Sequence, residues 1–233
     1  MSLTLHALTV APAGAPPLLA PLNLTVPPGT VATLVGPSGI GKSTLLDAIG
    51  GHLAHGFVMT GAIRLNGRDV TSLPPEARRI GVLFQDALLF PHLSVGDNLA
   101  FGLVRQVHGR AARREAVKQA LDQAGLTGFQ DRDPATLSGG QRARVALMRT
   151  LLAKPKALLL DEPFSKLDAQ LRQEIRTFTF GHIRARDIPV LMVTHDEGDA
   201  EAASGPVISL QQAVTSRGPA LSRLRPGERP ANA

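Results

Sequence analysis

A glycine-rich segment from Gly36 to Thr44 carries the clearest chemical signal in this sequence. It fits the pattern G-x-x-x-x-G-K-[ST] of a phosphate-binding loop. Its glycines let the backbone amides turn inward as an anion site, Lys42 can reach terminal phosphates, and the Ser43 hydroxyl suits Mg²⁺. The segment therefore predicts a nucleoside triphosphate site. The expected binding residues are Gly36, Pro37, Ser38, Gly39, Ile40, Gly41, Lys42, Ser43 and Thr44.

Two adjacent carboxylates, Asp161 and Glu162, follow the apolar run at 157–160. A buried strand would deliver both of them beside a phosphate loop. Asp161 is suited to hold Mg²⁺, mostly through water, and Glu162 is suited to polarise an attacking water as general base. The alternative is that both acids are only solvated side chains in a turn at the strand end. This alternative is uncommon in chains that also have an upstream phosphate loop.

A third motif, Ser138-Gly139-Gly140-Gln141, opens a predicted helix and offers a second anion site. The chain already has its own phosphate loop. A second phosphate cradle therefore suggests a site that is shared between two subunits. The expected phosphate-contacting residues are Ser138, Gly139, Gly140 and Gln141.

The elements that position these motifs alternate regularly. Segments 43–49 and 168–186 predict helices. Buried strands are predicted from apolar runs at 31–35, 80–84, 157–160 and 190–193. Strands that alternate with helices predict a parallel α/β sheet with ligands at the carboxyl ends of its strands.

Two further regions flank this predicted core. Residues 3–10 and 18–26 predict strands that are joined by a Pro/Gly-rich loop, and the region 93–150 is mostly helical. From residue 211 onward the Arg/Pro/Gly/Ser-rich composition predicts a flexible tail.

The motifs together resemble, in type and order, those of the ATP-binding cassette (ABC) ATPases. The resemblance covers residues 1–210 and implies an α/β fold: a P-loop NTPase core with a parallel sheet, an N-terminal antiparallel β subdomain and a helical subdomain inserted at about 86–150. It leaves 211–233 as a flexible basic C-terminal tail. The residues that carry it are 36–44, Gln85, 137–141, 158–163, 165–168 and His195.

The resemblance also implies residue roles. Gln85 resembles the glutamine that touches Mg²⁺ and the attacking water and senses a membrane partner. His195 resembles the histidine that braces the γ-phosphate, and Asp168 resembles a residue that communicates between subunits. Lys166 replaces an alanine that is common in that loop. The implied catalytic residues are Glu162, His195 and Gln85, and the implied Mg²⁺ ligands are Ser43, Gln85 and Asp161.

In the ABC family, ATP is held head-to-tail between two copies, so the implied partners begin with a second copy of this chain. The run 85–95 resembles importer ATPases of the polyamine, iron, sulfate and thiamine type, and 133–167 resembles an uncharacterised importer-type subgroup from enterobacteria. This implies separate integral membrane permease subunits, a periplasmic solute-binding protein and a peripheral place on the cytoplasmic face of the inner membrane. Export or lipoprotein release, and non-transport work on DNA or ribosomes, remain alternatives.

Composition fits this setting. The chain has no Cys, which suits a reducing compartment, and no Lys or Arg precedes Lys42, so a signal peptide is not expected. The net charge of +6 comes mostly from scattered Arg, which is typical of a solvated surface or of weak attraction to an anionic membrane. With neither Tyr nor Trp, base stacking and nucleic-acid binding are not expected.

Three local features complete the expectations. Residues 10–14 lack the aromatic side chain that family members place there against adenine. The segment after His195 is short and predicts none of the family's usual strand-and-turn ending. Apolar residues after Gln85 are expected to line a groove for a short helix of the membrane subunit, namely Phe90, Pro91, His92, Leu93 and Val95.

Overall fold

The computed structural model describes residues 1–104 and 107–212. It contains two sheets and a group of helices, and the alternation predicted from the sequence is confirmed. In chain order the elements are β1 (Leu3–Pro12), β2 (Leu22–Val26), β3 (Val31–Val35), α1 (Lys42–Gly50), β4 (Phe57–Leu65), β5 (Arg68–Asp69), α2 (Pro75–Arg78), β6 (Ile80–Leu83), α3 (Val95–Phe101), α4 (Arg110–Gln123), α5 (Gly139–Leu152), β7 (Ala157–Asp161), α6 (Ala169–Arg184), β8 (Val190–Val193), α7 (Glu197–Ala203) and β9 (Val207–Ser209).

The central sheet is parallel and has the strand order β6-β7-β8-β3-β9. Strands β7 and β8 are buried along almost their whole length, which explains why their sequences are continuous apolar runs. Because the strands are parallel, β3, β6, β7 and β8 all end at one edge. The phosphate loop, Gln85, the two carboxylates and His195 leave the sheet at that edge.

The N-terminal sheet is antiparallel, with the order β2-β1-β4-β5, as the predicted β subdomain requires. Strand β1 changes register around Ala7, which has a positive φ of 44°. Gly61 lies opposite this irregularity, and a Cβ there would come within 2.4 Å of the Ala7 carbonyl oxygen. The apolar face of this sheet shares one buried cluster with α1 and β3, so the two sheets pack around the phosphate loop's helix.

Helices α3, α4 and α5 form the expected helical part between β6 and β7. Their apolar faces meet in a second cluster that includes the buried residues Leu99, Leu121 and Leu147. Helix α3 begins at the cap Ser94, whose hydroxyl accepts a hydrogen bond from the amide of Asp97. No helix in the described part of the chain is long and apolar enough to cross a membrane.

The segment after His195 is more structured than its sequence suggests. It forms α7 and then β9, which pairs in parallel with β3, so the expectation that no further strand follows is wrong. Strand β9 has only three residues, which are too few to show a hydrophobic pattern in the sequence. It is held in place by backbone pairing with β3. Gln212 bridges to Leu19, and the remainder of the expected tail, 213–233, lies outside the described residues.

Candidate functional site

The phosphate loop folds as a set of turns around the amino group of Lys42. This side chain is 6% exposed, and its Nζ donates to the carbonyl oxygens of Gly36 at 2.8 Å and Pro37 at 2.9 Å. Gly39 and Gly41 have positive φ angles of 78° and 100°. Helix α1 starts at Gly41 without a side-chain cap, so its first amides remain available to an anion.

There is also no space for a side chain at Gly41. A Cβ at this position would lie 2.9 Å from Cδ1 of Leu18, which packs over the loop from the N-terminal sheet region. The requirement for glycine is therefore both conformational and steric.

Asp161 ends β7 beside the first turn of α1. Burial raises the pKa of its carboxyl group above the usual value, and the nearby Glu162 charge acts in the same direction. A hydrogen bond from Ser43 and the charge of Lys42 oppose this shift. Burial, followed by the charge of Asp161, likewise raises the pKa of Asp47. The negative charge collected here is a place where a cation would be favourable.

The donor set at this point fits Mg²⁺. Ser43 offers a hydroxyl oxygen and the nearby Asp161 offers a carboxylate oxygen, and both are hard oxygen ligands. The described residues contain no group of three or more His, Cys, Asp or Glu side chains placed to hold a metal.

Glu162 and His195 meet directly at the strand ends. His195 Nδ1 lies 3.1 Å from Glu162 Oε1, with the histidine 59% and the glutamate 24% exposed. Glu162 has a left-handed φ of 44°, and its amide donates to the Val193 carbonyl at 2.9 Å. A bulky residue in this backbone region carries strain, which is common at functional sites. The structure therefore brings together two residues that are 33 positions apart in the sequence.

Gln85 reaches the same group through Ser165. Gln85 Nε2 donates to Ser165 Oγ at 3.0 Å, and Ser165 Oγ donates to the Glu162 carbonyl oxygen at 2.9 Å. Next to this bridge, Lys166 Nζ lies 2.5 Å from Asp86 Oδ1. Sequence reasoning placed Ser165 in a motif but missed its contact with Gln85, since nothing in either segment indicates such a pair.

The serine-glycine motif starts α5 with a reciprocal cap. Ser138 Oγ accepts from the Gln141 amide at 3.2 Å, and Gln141 Oε1 accepts from the Ser138 amide at 3.0 Å. A Cβ on Gly140 would come within 2.5 Å of Leu171 on α6. Among the described residues, no hydrogen bond or ion pair connects 138–141 with the phosphate loop. Each of the two predicted anion sites is thus held by hydrogen bonds within its own segment.

Comparison with known proteins agrees with the motifs. The model of the family described as ABC transporter matches residues 19–165. The uncharacterised ABC transporter ATP-binding protein YnjD of Escherichia coli K12 is 55% identical over 80% of this chain and 86% of its own length. The sulfate/thiosulfate import ATP-binding protein CysA of Mycobacterium bovis is 46% identical over 77% of this chain, and this chain spans about half the length of that relative, 50%. The Fe(3+) import ATP-binding protein FbpC of Agrobacterium fabrum is 44% identical over 82% of this chain and 53% of its own length.

Solved structures give the same result for the fold. A dimeric post-hydrolysis state of the ATP-binding cassette MJ0796, bound to ADP and Pi, has a TM-score of 0.74 and 30% identity, covering 90% of this chain and 94% of that one. CbiO1 of Clostridium perfringens, part of the transporter complex cbiONQ, has a TM-score of 0.78 and 28% identity, covering 90% and 84%. The predicted fold class and the predicted family are both confirmed. This chain belongs to the ABC transporter family, in which it is an ATP-binding ATPase.

Proposed function

We propose that this chain is the ATP-hydrolysing subunit of a solute importer, working as a head-to-tail dimer on separate membrane subunits. The observation that carries the catalytic part is the 3.1 Å contact of Glu162 and His195 at the strand ends beside the phosphate loop. The import part is supported by relatives that are named as import ATP-binding proteins.

The phosphate loop would hold ATP through its free amides and Lys42, with Ser43, Asp161 and Gln85 as the proposed Mg²⁺ ligands. When bound, Mg²⁺ would neutralise charge on the β- and γ-phosphates. Glu162 would accept a proton from the attacking water, and His195 would brace Glu162 and the γ-phosphate. The imidazole at 3.1 Å would orient the Glu162 carboxylate, which supports the general-base role.

The helix start at 138–141 would complete the site of a second copy. Ser138 Oγ accepts a hydrogen bond within its own cap and still has its proton to donate to a phosphate oxygen. Gly139 and Gly140 allow close approach because neither has a side chain. A second potential phosphate-binding helix start, in a chain that already has a phosphate loop, supports a site shared between copies. The dimer of the related cassette MJ0796 supports the same arrangement.

The membrane subunit would dock on an apolar surface formed by Leu88, Phe90 and Phe101, which we call the phenylalanine surface. Leu88 and Phe101 are 56% and 69% exposed, and the rings of Phe90 and Phe101 stack edge-to-face at 4.7 Å. A cavity of about 440 Å³ adjoins both phenylalanines. The expected lining is wrong for Val95, which is fully buried because it begins α3 with its side chain in the helical core.

Coexpression with the membrane subunits tests this function. Phe101→Asp should abolish co-purification with the permease and leave the ATPase rate of the isolated chain within about twofold. Val58→Asp is the matched control, because Val58 is also an exposed apolar residue, 51%, but lies on the N-terminal sheet.

Three results would count against the proposal. An isolated chain without ATP hydrolysis would remove the ATPase role, and loss of co-purification in both variants or in neither would remove the docking surface. ATP-dependent accumulation of solute inside inside-out vesicles that carry the assembled complex would replace import by the export alternative.

A further inference from the structure

Four charged residues, two of them buried and two partly exposed, form a network that involves both chain neighbours of His195. None of the four has been assigned a role above. Arg172 and Arg176 lie one turn apart on α6, while Asp196 caps α7 and Asp199 lies in its first turn. Asp199 is 2% exposed and Arg176 is 9% exposed. Buried charges are costly unless they are paired and hydrogen-bonded, so such a group is held together by its own geometry.

The two arginines share the two acids between them. Arg176 Nη2 lies 2.9 Å from Asp196 Oδ1, and the same guanidinium contacts Asp199 Oδ1. Arg172 Nη1 donates to Asp196 Oδ2 at 2.6 Å. Asp196 thus receives one arginine on each carboxylate oxygen. The planar guanidinium, unlike an ammonium group, can bridge two carboxylates at fixed angles.

Thr194 joins this network to the end of β8. Its buried hydroxyl donates to Asp199 Oδ2 at 2.7 Å and accepts from the Asp196 amide at 3.1 Å. Burial opposes ionisation of Asp196, but the Asp199 amide and the charges of Arg176 and Arg172 hold the pKa of its carboxyl below the usual value. Both neighbours of His195 in the chain are therefore fixed by charge-assisted bonds.

His195 itself takes no part in these bonds, and its ring points to Glu162 from a backbone that the network holds. The backbone position of residue 195 decides where the imidazole lies. Displacements of about 1 Å in a catalytic constellation can lower rates by about a hundredfold. Bonds that fix residues 194 and 196 can therefore influence the reacting geometry through the position of His195.

Arg172 also reaches the loop 165–168. Its Nη2 donates to the Leu167 carbonyl at 3.0 Å, next to the residue that caps α6. The same loop contains Ser165, which bonds the Glu162 carbonyl. Arg172 thus links the chain segments that carry the two halves of the Glu162–His195 pair.

We infer that Arg172 and Arg176 are positioning residues for ATP hydrolysis, which hold His195 against Glu162 through Asp196, Asp199 and Thr194. The inference rests on the proposed function, because it assigns these residues to the hydrolysis step. A purely architectural role, fastening α6 to α7, is the competing explanation. The two differ in whether the effect of each arginine depends on the presence of His195.

The test uses Arg176→Lys and Arg172→Gln in the full chain, each with and without His195→Ala. Lysine keeps the charge of Arg176 but lacks the planar set of donors that holds two carboxylates at fixed angles. Glu174→Gln is the matched control, because Glu174 lies on α6 between the two arginines and pairs with Arg144 of α5 instead. Steady-state kcat, KM for ATP and the thermal midpoint are measured for every variant.

We expect kcat to fall about tenfold in Arg176→Lys and about fivefold in Arg172→Gln, with KM within about twofold. In the His195→Ala background the same changes should lower the residual rate by less than about twofold, because the residue through which they act is gone. Glu174→Gln should keep both values within about twofold in either background.

Equal fold-losses with and without His195 would overturn the positioning role, as would a changed KM with an unchanged kcat. If Arg176→Lys does not fold, the partly exposed Arg172 gives the same test alone. A wild-type chain without ATP hydrolysis would instead remove the proposed function. Wild-type hydrolysis together with full activity in both arginine variants would remove only the positioning role.

Discussion

Two helices of this chain begin with glycine-containing motifs, and they begin in opposite ways. Helix α1 starts at Gly41 with no side-chain cap, and the adjacent Lys42 places a buried amino group in the turn. Helix α5 starts at Ser138, where Ser138 and Gln141 cap each other's amides. One helix start leaves its amides to a ligand, while the other satisfies part of them by itself.

The difference indicates that the two helix starts have different roles in binding a nucleotide. Beside the first helix start lie the amino group of Lys42 and the oxygen atoms of Ser43 and Asp161, which could bind Mg²⁺. The parallel sheet supports this helix start, so one chain supplies the groups that would hold the nucleotide. The second is held by its own reciprocal cap, and it offers a hydroxyl and two residues without side chains. Such a surface is suited to close over a phosphate that another copy already holds.

The largest expected effect concerns the reacting pair beside the first helix start. Glu162→Gln keeps the size of the side chain but removes the base, so kcat for ATP should fall by about a hundredfold or more. ATP affinity should stay within about threefold, because the carboxylate donates no hydrogen bond to the phosphates. A steady-state ATPase assay and calorimetry check both values. A near-wild-type rate would remove Glu162 from the proposed base role.

The next effect separates binding from catalysis. Lys42→Ala removes the full positive charge of the phosphate loop, and charge-assisted bonds are worth about 1.5–3 kcal/mol. The dissociation constant for ATP should therefore rise by about 10- to 150-fold. Lys118→Ala, an exposed lysine on α4, is the control and should leave affinity unchanged. Equal affinity of Lys42→Ala and wild type in calorimetry would contradict this reading of the loop.

A smaller effect comes from the charge of Asp161. Since its pKa is raised by burial, the folded protein holds this proton more tightly than the unfolded chain does. Stability therefore falls as the pH rises from near the ordinary value of 3.8 through the raised pKa. Asp161→Asn should raise the thermal midpoint without nucleotide at pH 7 by about 2–4 °C, which corresponds to about 1 kcal/mol after allowance for solvent screening.

The sign has two checks in scanning calorimetry. The gain from Asp161→Asn should shrink toward pH 4, where the wild-type carboxyl takes up its proton. Mg²⁺ with ATP should stabilise the wild type more than the variant. A variant that is less stable than the wild type at pH 7 would show that Asp161 contributes contacts that outweigh the cost of its buried charge.

The smallest effect concerns the base of the nucleotide. Residues 10–14 carry no ring to stack on it, and an aromatic contact is worth about 0.5–1.5 kcal/mol beyond burial, or at most about tenfold. GTP should therefore be hydrolysed with a kcat/KM within about tenfold of ATP. Discrimination of a hundredfold would mean that another group recognises adenine.

The sequence predicted the motifs and placed most of them at the carboxyl ends of strands, because these motifs are local and directly follow apolar runs. It could not predict contacts that depend on tertiary packing. Gln85 meets Ser165 across 80 positions, and Arg176 meets Asp196 across 20 positions, from segments that look like ordinary polar loops and helix faces. The sequence does not show which of several possible polar partners each of these side chains contacts in the fold.

Errors occurred where a short segment is governed by its neighbours. Strand β9 has three residues and pairs with the edge of β3, so it is too short to show an alternation of apolar and polar residues in the sequence. Val95 is expected on a docking groove because it belongs to the set of mostly apolar residues that follows Gln85. It is instead the first residue of α3, where the cap at Ser94 turns the chain and directs the side chain into the core.

The shared nucleotide site is the central claim, and ATP-dependent dimerisation tests it most directly. In the Glu162→Gln background, sedimentation velocity with Mg²⁺ and ATP should show a dimer that holds two nucleotides. Adding Ser138→Arg should leave monomers that bind ATP with affinity within about threefold, because the bulk falls on the partner's nucleotide and not on the chain's own. A Ser138→Arg chain that dimerises as well as its parent, or a parent that stays monomeric with ATP bound, would contradict the account.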